Sequence, residues 1–177
     1  MMSAKNLINY RAREGGTPAD ILSSANMQLC RNNKGKMFVT VWLGILEIDT
    51  GRLLFSNAGH EPMALSHANA PFELVRGDKK PAIGILSKVK YTDQEMLLLP
   101  GDCLFLYTDG ITEASQAENV FFGRERMLQA LDKESGKRPV DIIKGVEDSI
   151  SSFVGEAEQF DDMTMLCLTY KTKGKKT

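Results

Sequence analysis

An α+β domain is what this sequence predicts, and three observations carry the prediction. Apolar residues recur at helical spacing over the first thirty positions. Short apolar runs broken by turn residues fill the stretch from Met37 to Tyr107. Helical spacing then returns between Met127 and Val154, ahead of a last apolar run at Met163 to Tyr170. At 177 residues the chain is long enough to bury one core and short for two.

The first helix is predicted from Ala4, Leu7, Ile8 and Ala12, and Gly15-Gly16 stops it. The second has a full start signal, with Thr17 as N-cap, Pro18 at the first helical position and Asp20 in the first turn. Ile21, Leu22, Ala25 and Leu29 give it one apolar face. Met37 to Ile48 is apolar at both parities, so a strand there needs cover on both sides. Asp49-Thr50-Gly51 makes a hairpin turn into Arg52 to Ser56. Shorter strands are expected at Met63 to Ser66, Phe72 to Val75 and Glu95 to Leu99, and Pro100-Gly101-Asp102 turns into the strand that ends before Asp109. Met127, Leu128 and Leu131 mark the next helix. Ile143, Val146, Ile150, Phe153 and Val154 mark a longer one, with Pro139 in its first turn behind Arg138, a poor N-cap.

Composition narrows the function classes. Hydrophobic residues at 42% and charged residues at 25% suit a globular chain, and a net charge of −1 argues against a nucleic-acid binder driven by bulk charge. The domain is expected to occupy 1–170, with 171–177, which holds the basic cluster Lys171 to Lys176, as a frayed tail. Cys30, Cys103 and Cys167 have no metal-type spacing, so they are expected as small core residues in a reducing compartment. No run is long enough to span a bilayer and Met1-Met2 does not open a signal peptide, so the chain is expected to be cytoplasmic.

The chemistry is expected at two places. Asp109 closes the apolar run Cys103 to Tyr107, where a carboxylate needs water, a donor or a cation to receive it. Gly110 behind it permits a positive φ and leaves room for a ligand. Asp161 and Asp162 instead precede an apolar run. If the two strands lie antiparallel, the end of one meets the start of the other and the carboxylates can share a hard cation such as Mg²⁺ or Mn²⁺. Either motif alone favours the plainer reading, Asp-Gly as a turn and Asp-Asp as a solvated loop.

Lys36 to Thr40, Asp49 to Leu53, Ser56-Asn57-Ala58-Gly59-His60-Glu61-Pro62, Pro81 to Gly84, Leu99 to Asp102, Leu106 to Ala114, Phe122-Gly123 and Gln159 to Thr164 occur in an order and spacing that resemble the SpoIIE-like branch of the PPM metal-dependent protein phosphatases. That resemblance implies an α-β-β-α sandwich of two antiparallel sheets flanked by helix pairs, and removal of phosphate from phosphoserine or phosphothreonine by metal-held water without a phospho-enzyme. It places Asp109 and Asp161 on two metal-ligand positions and Asp162 beside them as a non-ligand. It implies a two-metal site of Mn²⁺ or Mg²⁺, with a phosphorylated anti-sigma-factor antagonist of the STAS type as substrate and an upstream sensor domain. The family's earlier metal-bridging aspartate has no counterpart in this sequence, so the chain is expected either to be N-terminally incomplete, lacking the first strands, or to have lost the site. In the first case an upstream segment restores Mn²⁺-dependent hydrolysis; in the second the domain is a non-catalytic regulatory module. Self-association through the first helix pair is a further expectation. A covalent aspartyl-phosphate route of the haloacid-dehalogenase type is disfavoured, because its nucleophile position is Tyr107. His60 is expected as a hydrogen-bonded structural residue rather than a general acid, and His67 as a loop residue. Arg124 and Arg126 are expected on a solvated face, with Trp42 and the methionines in the core.

Overall fold

The computed structural model describes residues 2–31, 33, 36–117, 120–156 and 161–171. In chain order the elements are α1 (Met2–Glu14), α2 (Pro18–Arg31), β1 (Val41–Leu46), β2 (Arg52–Ala58), β3 (Ala64–Ser66), β4 (Glu73–Leu74), β5 (Lys79–Lys80), β6 (Gln94–Leu97), β7 (Cys103–Tyr107), α3 (Asp109–Thr112), β8 (Ser115–Ala117), β9 (Val120–Phe121), α4 (Gly123–Lys133), α5 (Pro139–Val154) and β10 (Met165–Thr169). The α+β class is as predicted. The backbone gathers into two compact units, Met1–His60 with Gly77–Leu97 and Glu61–Arg76 with Leu98–Thr177, and each has an apolar cluster among the described residues.

In the first unit, β2 is the hub of a sheet. It pairs antiparallel with β1 and β6, and over two residues in parallel with β5, which departs from a purely antiparallel sheet. The β1–β2 turn is the predicted one: Gly51, at φ +79°, donates its N–H to the Glu47 carbonyl at 2.8 Å. Helix α2 opens as its sequence predicts, since the Asp20 N–H reaches Thr17 Oγ1 at 3.3 Å while the Thr17 N–H and hydroxyl reach Asp20 Oδ2. It buries Leu22 against Ala58, Ile83 and Tyr91. The strand expected from Met37 starts only at Val41. Asn33 Oδ1 accepts the Met37 N–H at 2.8 Å and Asn33 Nδ2 donates to the Met37 carbonyl at 2.6 Å, taking both groups away from any ladder. Met37 and Phe38 are accordingly exposed rather than core, and Val39 makes only an isolated bridge to Ile83.

In the second unit the sheet runs β10-β7-β3-β4, antiparallel throughout. Helices α4 and α5 cover it with Met127, Leu131, Ile142, Val146 and Ile150, packed on Phe105 and Tyr107. The buried seam of α5 is Ile142–Val146–Ile150, one residue round from the predicted Ile143, which stays partly buried. Arg138 caps nothing with its side chain and instead grips Asp141 with two N–H groups at 2.8 and 3.0 Å. The turn into β7 is fixed by Asp102, a carboxylate only 1% exposed that accepts the N–H groups of Leu99 and Ala68 and faces His67 Nδ1 at 3.1 Å. Of the basic tail, 172–177 lie outside the described residues. No described helix is long and apolar enough to cross a membrane.

Candidate functional site

The antiparallel pairing on which the two-aspartate idea depended is present. Tyr107, the last residue of β7, lies opposite Met165, the first of β10, so the exit of one strand adjoins the entry of the other. Thr108 extends the pairing by one step: its N–H donates to the Thr164 carbonyl at 3.1 Å. Its backbone is extended (φ −88°, ψ 159°), as an N-cap requires, yet its hydroxyl makes no cap bond. That hydroxyl crosses the strands instead, donating to the Asp162 carbonyl at 3.1 Å and accepting the Thr164 N–H at 3.0 Å. Thr108 therefore pins the Asp162–Thr164 backbone to the start of α3.

Asp109 is the first residue of α3 and is exposed, with Oδ1 accepting the Gly110 N–H at 3.2 Å. Asp161 and Asp162 are exposed too, and Asp161 Oδ1 accepts the Asp162 N–H at 2.7 Å. Gly110 serves by close approach rather than by the positive φ that its sequence position suggested, for it lies within the helix and is absent from the positive-φ residues. A Cβ on it would stand 2.6 Å from the Asp162 carbonyl oxygen and 3.5 Å from that of Asp161. The segments bearing the predicted ligands Asp109 and Asp161 are thus in contact through Gly110.

Exposed carboxylates on two rigidly joined segments fit a hard divalent cation in donor chemistry. In number they supply part of a donor set, because no group of three or more His, Cys, Asp or Glu stands together among the described residues. The hydroxyl of Tyr107 is buried, with Glu61 and Arg124 as its charged neighbours. Burial, and then the charge of Glu61, push its phenol up to about 12. Glu61 is itself held by Arg124 Nη2 at 2.8 Å.

Three parts of this neighbourhood differ from or go beyond what the sequence predicts. The cross-strand role of Thr108 has no local signal. Arg124 is tied to Glu61 rather than merely solvated. Arg126 donates to the Phe121 and Phe122 carbonyls and lies 4.8 Å from the centre of the Phe153 ring. The backbone of His60 is held by Asn57, whose Oδ1 accepts its N–H at 2.9 Å and whose Nδ2 donates to its carbonyl at 3.1 Å.

Residues 1–171 match the model of the Stage II sporulation protein E (SpoIIE) family. Among curated proteins the chain is 30% identical over 132 residues to protein IcfG of Synechocystis sp., covering 75% of this chain and 20% of the relative. It is 25% identical over 172 residues to phosphoserine phosphatase RsbU of Bacillus subtilis, covering 97% and 50%. The chain thus spans a fifth and a half of these two relatives. Among solved structures it resembles the SiaA-PP2C domain of Pseudomonas aeruginosa, with a TM-score of 0.78 at 23% identity over 96% of this chain and 68% of that one. A manganese-presoaked phosphatase domain of the Bacillus subtilis cell fate determinant SpoIIE gives 0.68 at 17%, over 98% and 76%. RsbX in complex with magnesium gives 0.65 at 12%, over 94% and 70%. The shared fold is that of PP2C phosphatase domains.

Proposed function

The chain belongs to the SpoIIE family of PPM-type phosphatases, and from that premise we propose that it takes part in metal-dependent dephosphorylation of phosphoserine or phosphothreonine on a regulatory protein. The substrate class is a phosphorylated anti-sigma-factor antagonist of the STAS type, in line with the name phosphoserine phosphatase carried by RsbU. One observation carries the reading: Gly110 brings the Asp109 and Asp161 segments within van der Waals reach.

In this proposal Asp109 and Asp161 hold Mn²⁺ or Mg²⁺, the metals of the solved SpoIIE and RsbX relatives. Such an ion, when bound, neutralises phosphoryl oxygens and acidifies water. The chain's own part is positional. Thr108 fixes the Asp161 segment against α3, and Gly110 removes the side chain that would wedge the two apart. The β7–β10 pair and the Gly110 contact hold the two segments that carry these carboxylates next to each other.

The test is calorimetric titration of the chain with Mn²⁺, beside Asp109→Asn and Asp161→Asn. Each variant is expected to bind at least about tenfold more weakly, as loss of a charged oxygen ligand implies. Affinity equal to the parent in both would refute the assignment. A second reading, a non-catalytic binding domain on the same scaffold, is favoured by the partial donor set among the described residues. Binding of a phosphorylated STAS domain with no phosphate released at any Mn²⁺ concentration selects it.

A further inference from the structure

We propose that Cys103 and Cys167 form a redox-active dithiol, a modification site that closes to a disulfide when hydrogen peroxide reaches it. The inference is independent of the proposed phosphatase reaction. In the β7–β10 register Cys103 faces Thr169 and Cys167 faces Phe105, so the four side chains share one face of the sheet and the cysteines are diagonal neighbours. Their Sγ atoms lie 3.4 Å apart. The Thr169 hydroxyl also donates to Cys103 Sγ, at 3.7 Å. The two thiols are therefore in hydrogen-bond contact, and the Thr169 hydroxyl is a further donor at Cys103.

The Thr169 hydroxyl makes the two thiols unequal. The neighbouring Cys167 thiol, with Thr169 adding to it, draws Cys103 down to about 7 against the effect of burial, while contact with Cys103 and burial raise Cys167. Cys103 is 6% exposed and Cys167 half-buried. Cys30 belongs to α2 in the first unit, with its thiol donating to Asn26 Oδ1 at 3.5 Å.

The reaction balances with peroxide as the only co-reactant. The Cys103 thiolate attacks one peroxide oxygen, the O–O bond breaks, and Cys103 becomes a sulfenic acid as hydroxide leaves. The Cys167 sulfur then attacks the Cys103 sulfur, the S–O bond breaks, and the departing hydroxide takes the Cys167 proton. In sum, two thiols and one peroxide give one disulfide and two waters, with two electrons passing from sulfur to oxygen. Closure has a mechanical consequence. Diagonal neighbours stand about 7–8 Å apart at Cα, near or past the ~7 Å beyond which a disulfide needs backbone movement. Bond formation therefore shifts β10 against β7, the same pair of strands whose ends are joined by Thr108 and Thr164.

The test exposes the reduced protein to stoichiometric peroxide, alkylates the remaining thiols and maps peptides without reduction. The expected result is one cross-linked peptide pair joining 103 and 167, with Cys30 alkylated and the link undone by dithiothreitol. Cys167→Ala abolishes the link and Cys30→Ala leaves it unchanged. Amide exchange at Thr164 is expected to quicken on closure and to recover on reduction. Alkylation of both cysteines in the treated parent, over-oxidation without a link, or a link through Cys30 would each overturn the proposal; unchanged exchange at Thr164 in the cross-linked protein would overturn its mechanical part. The parent protein alone decides the first question, whether or not a variant folds.

Discussion

Gly110 has a backbone that any residue adopts, so its constraint is one of space. A methyl there meets a carbonyl oxygen at 2.6 Å, and that oxygen belongs to backbone which Thr108 already holds. Gly110→Ala is therefore expected to cost about 1–3 kcal/mol, the range for overpacking, measured by urea unfolding, and to weaken Mn²⁺ binding as the Asp161 segment is pushed away. An unchanged unfolding midpoint would mean that the segment yields freely. The Asp-Gly pair was legible in the sequence as a place where chemistry needs room. Which property of glycine mattered was not, because the obstructing oxygen comes from a residue 52 positions further along the chain.

At the level of elements, the site is the junction of β7 and β10, and Thr108 is its fastener. Replacing it by valine keeps the shape, deletes one donor to the Asp162 carbonyl and strands the Thr164 N–H. Thr108→Val is expected to lose about 1–3 kcal/mol, as for groups left unsatisfied, and to speed amide exchange at Thr164 before any global loss of protection. Exchange at the parent rate would show that water replaces the hydroxyl without cost. Elements with strong local signals emerged as read: the Thr17-Pro18-Ala19-Asp20 start of α2 and the Asp49-Thr50-Gly51 turn. The antiparallel pairing of β7 and β10, a condition in the sequence reading, is met by the fold. Elements set by distant partners did not emerge as read. The late start of β1 depends on Asn33, β5 exists through two residues of β2, and β8 and β9 are too short for periodicity to register.

Across the whole molecule, each unit buries one tyrosine in its apolar cluster, Tyr91 in the first and Tyr107 in the second, and burial raises both phenols to about 12. A phenol raised on folding contributes its stability in full below the unfolded value of about 10. That contribution is lost as pH climbs through the folded value. The urea midpoint is therefore expected to fall between about pH 10 and 12 in the parent, and less steeply in Tyr107→Phe; equal slopes would place the alkaline loss elsewhere. Local order was determined by the sequence alone: the α+β class, most helices and turns, the family, and the identity of Asp109 and Asp161 as candidates, since each rests on neighbours within a few residues or on a motif read in order. The tertiary structure alone decided that, among the described residues, each unit gathers an apolar cluster of its own, that Glu61 holds Arg124, and that two thiols 64 residues apart nearly touch. Those outcomes depend on strand register and on which distant groups compete for the same backbone, and contacts of that kind leave no periodic trace in a chain of residues.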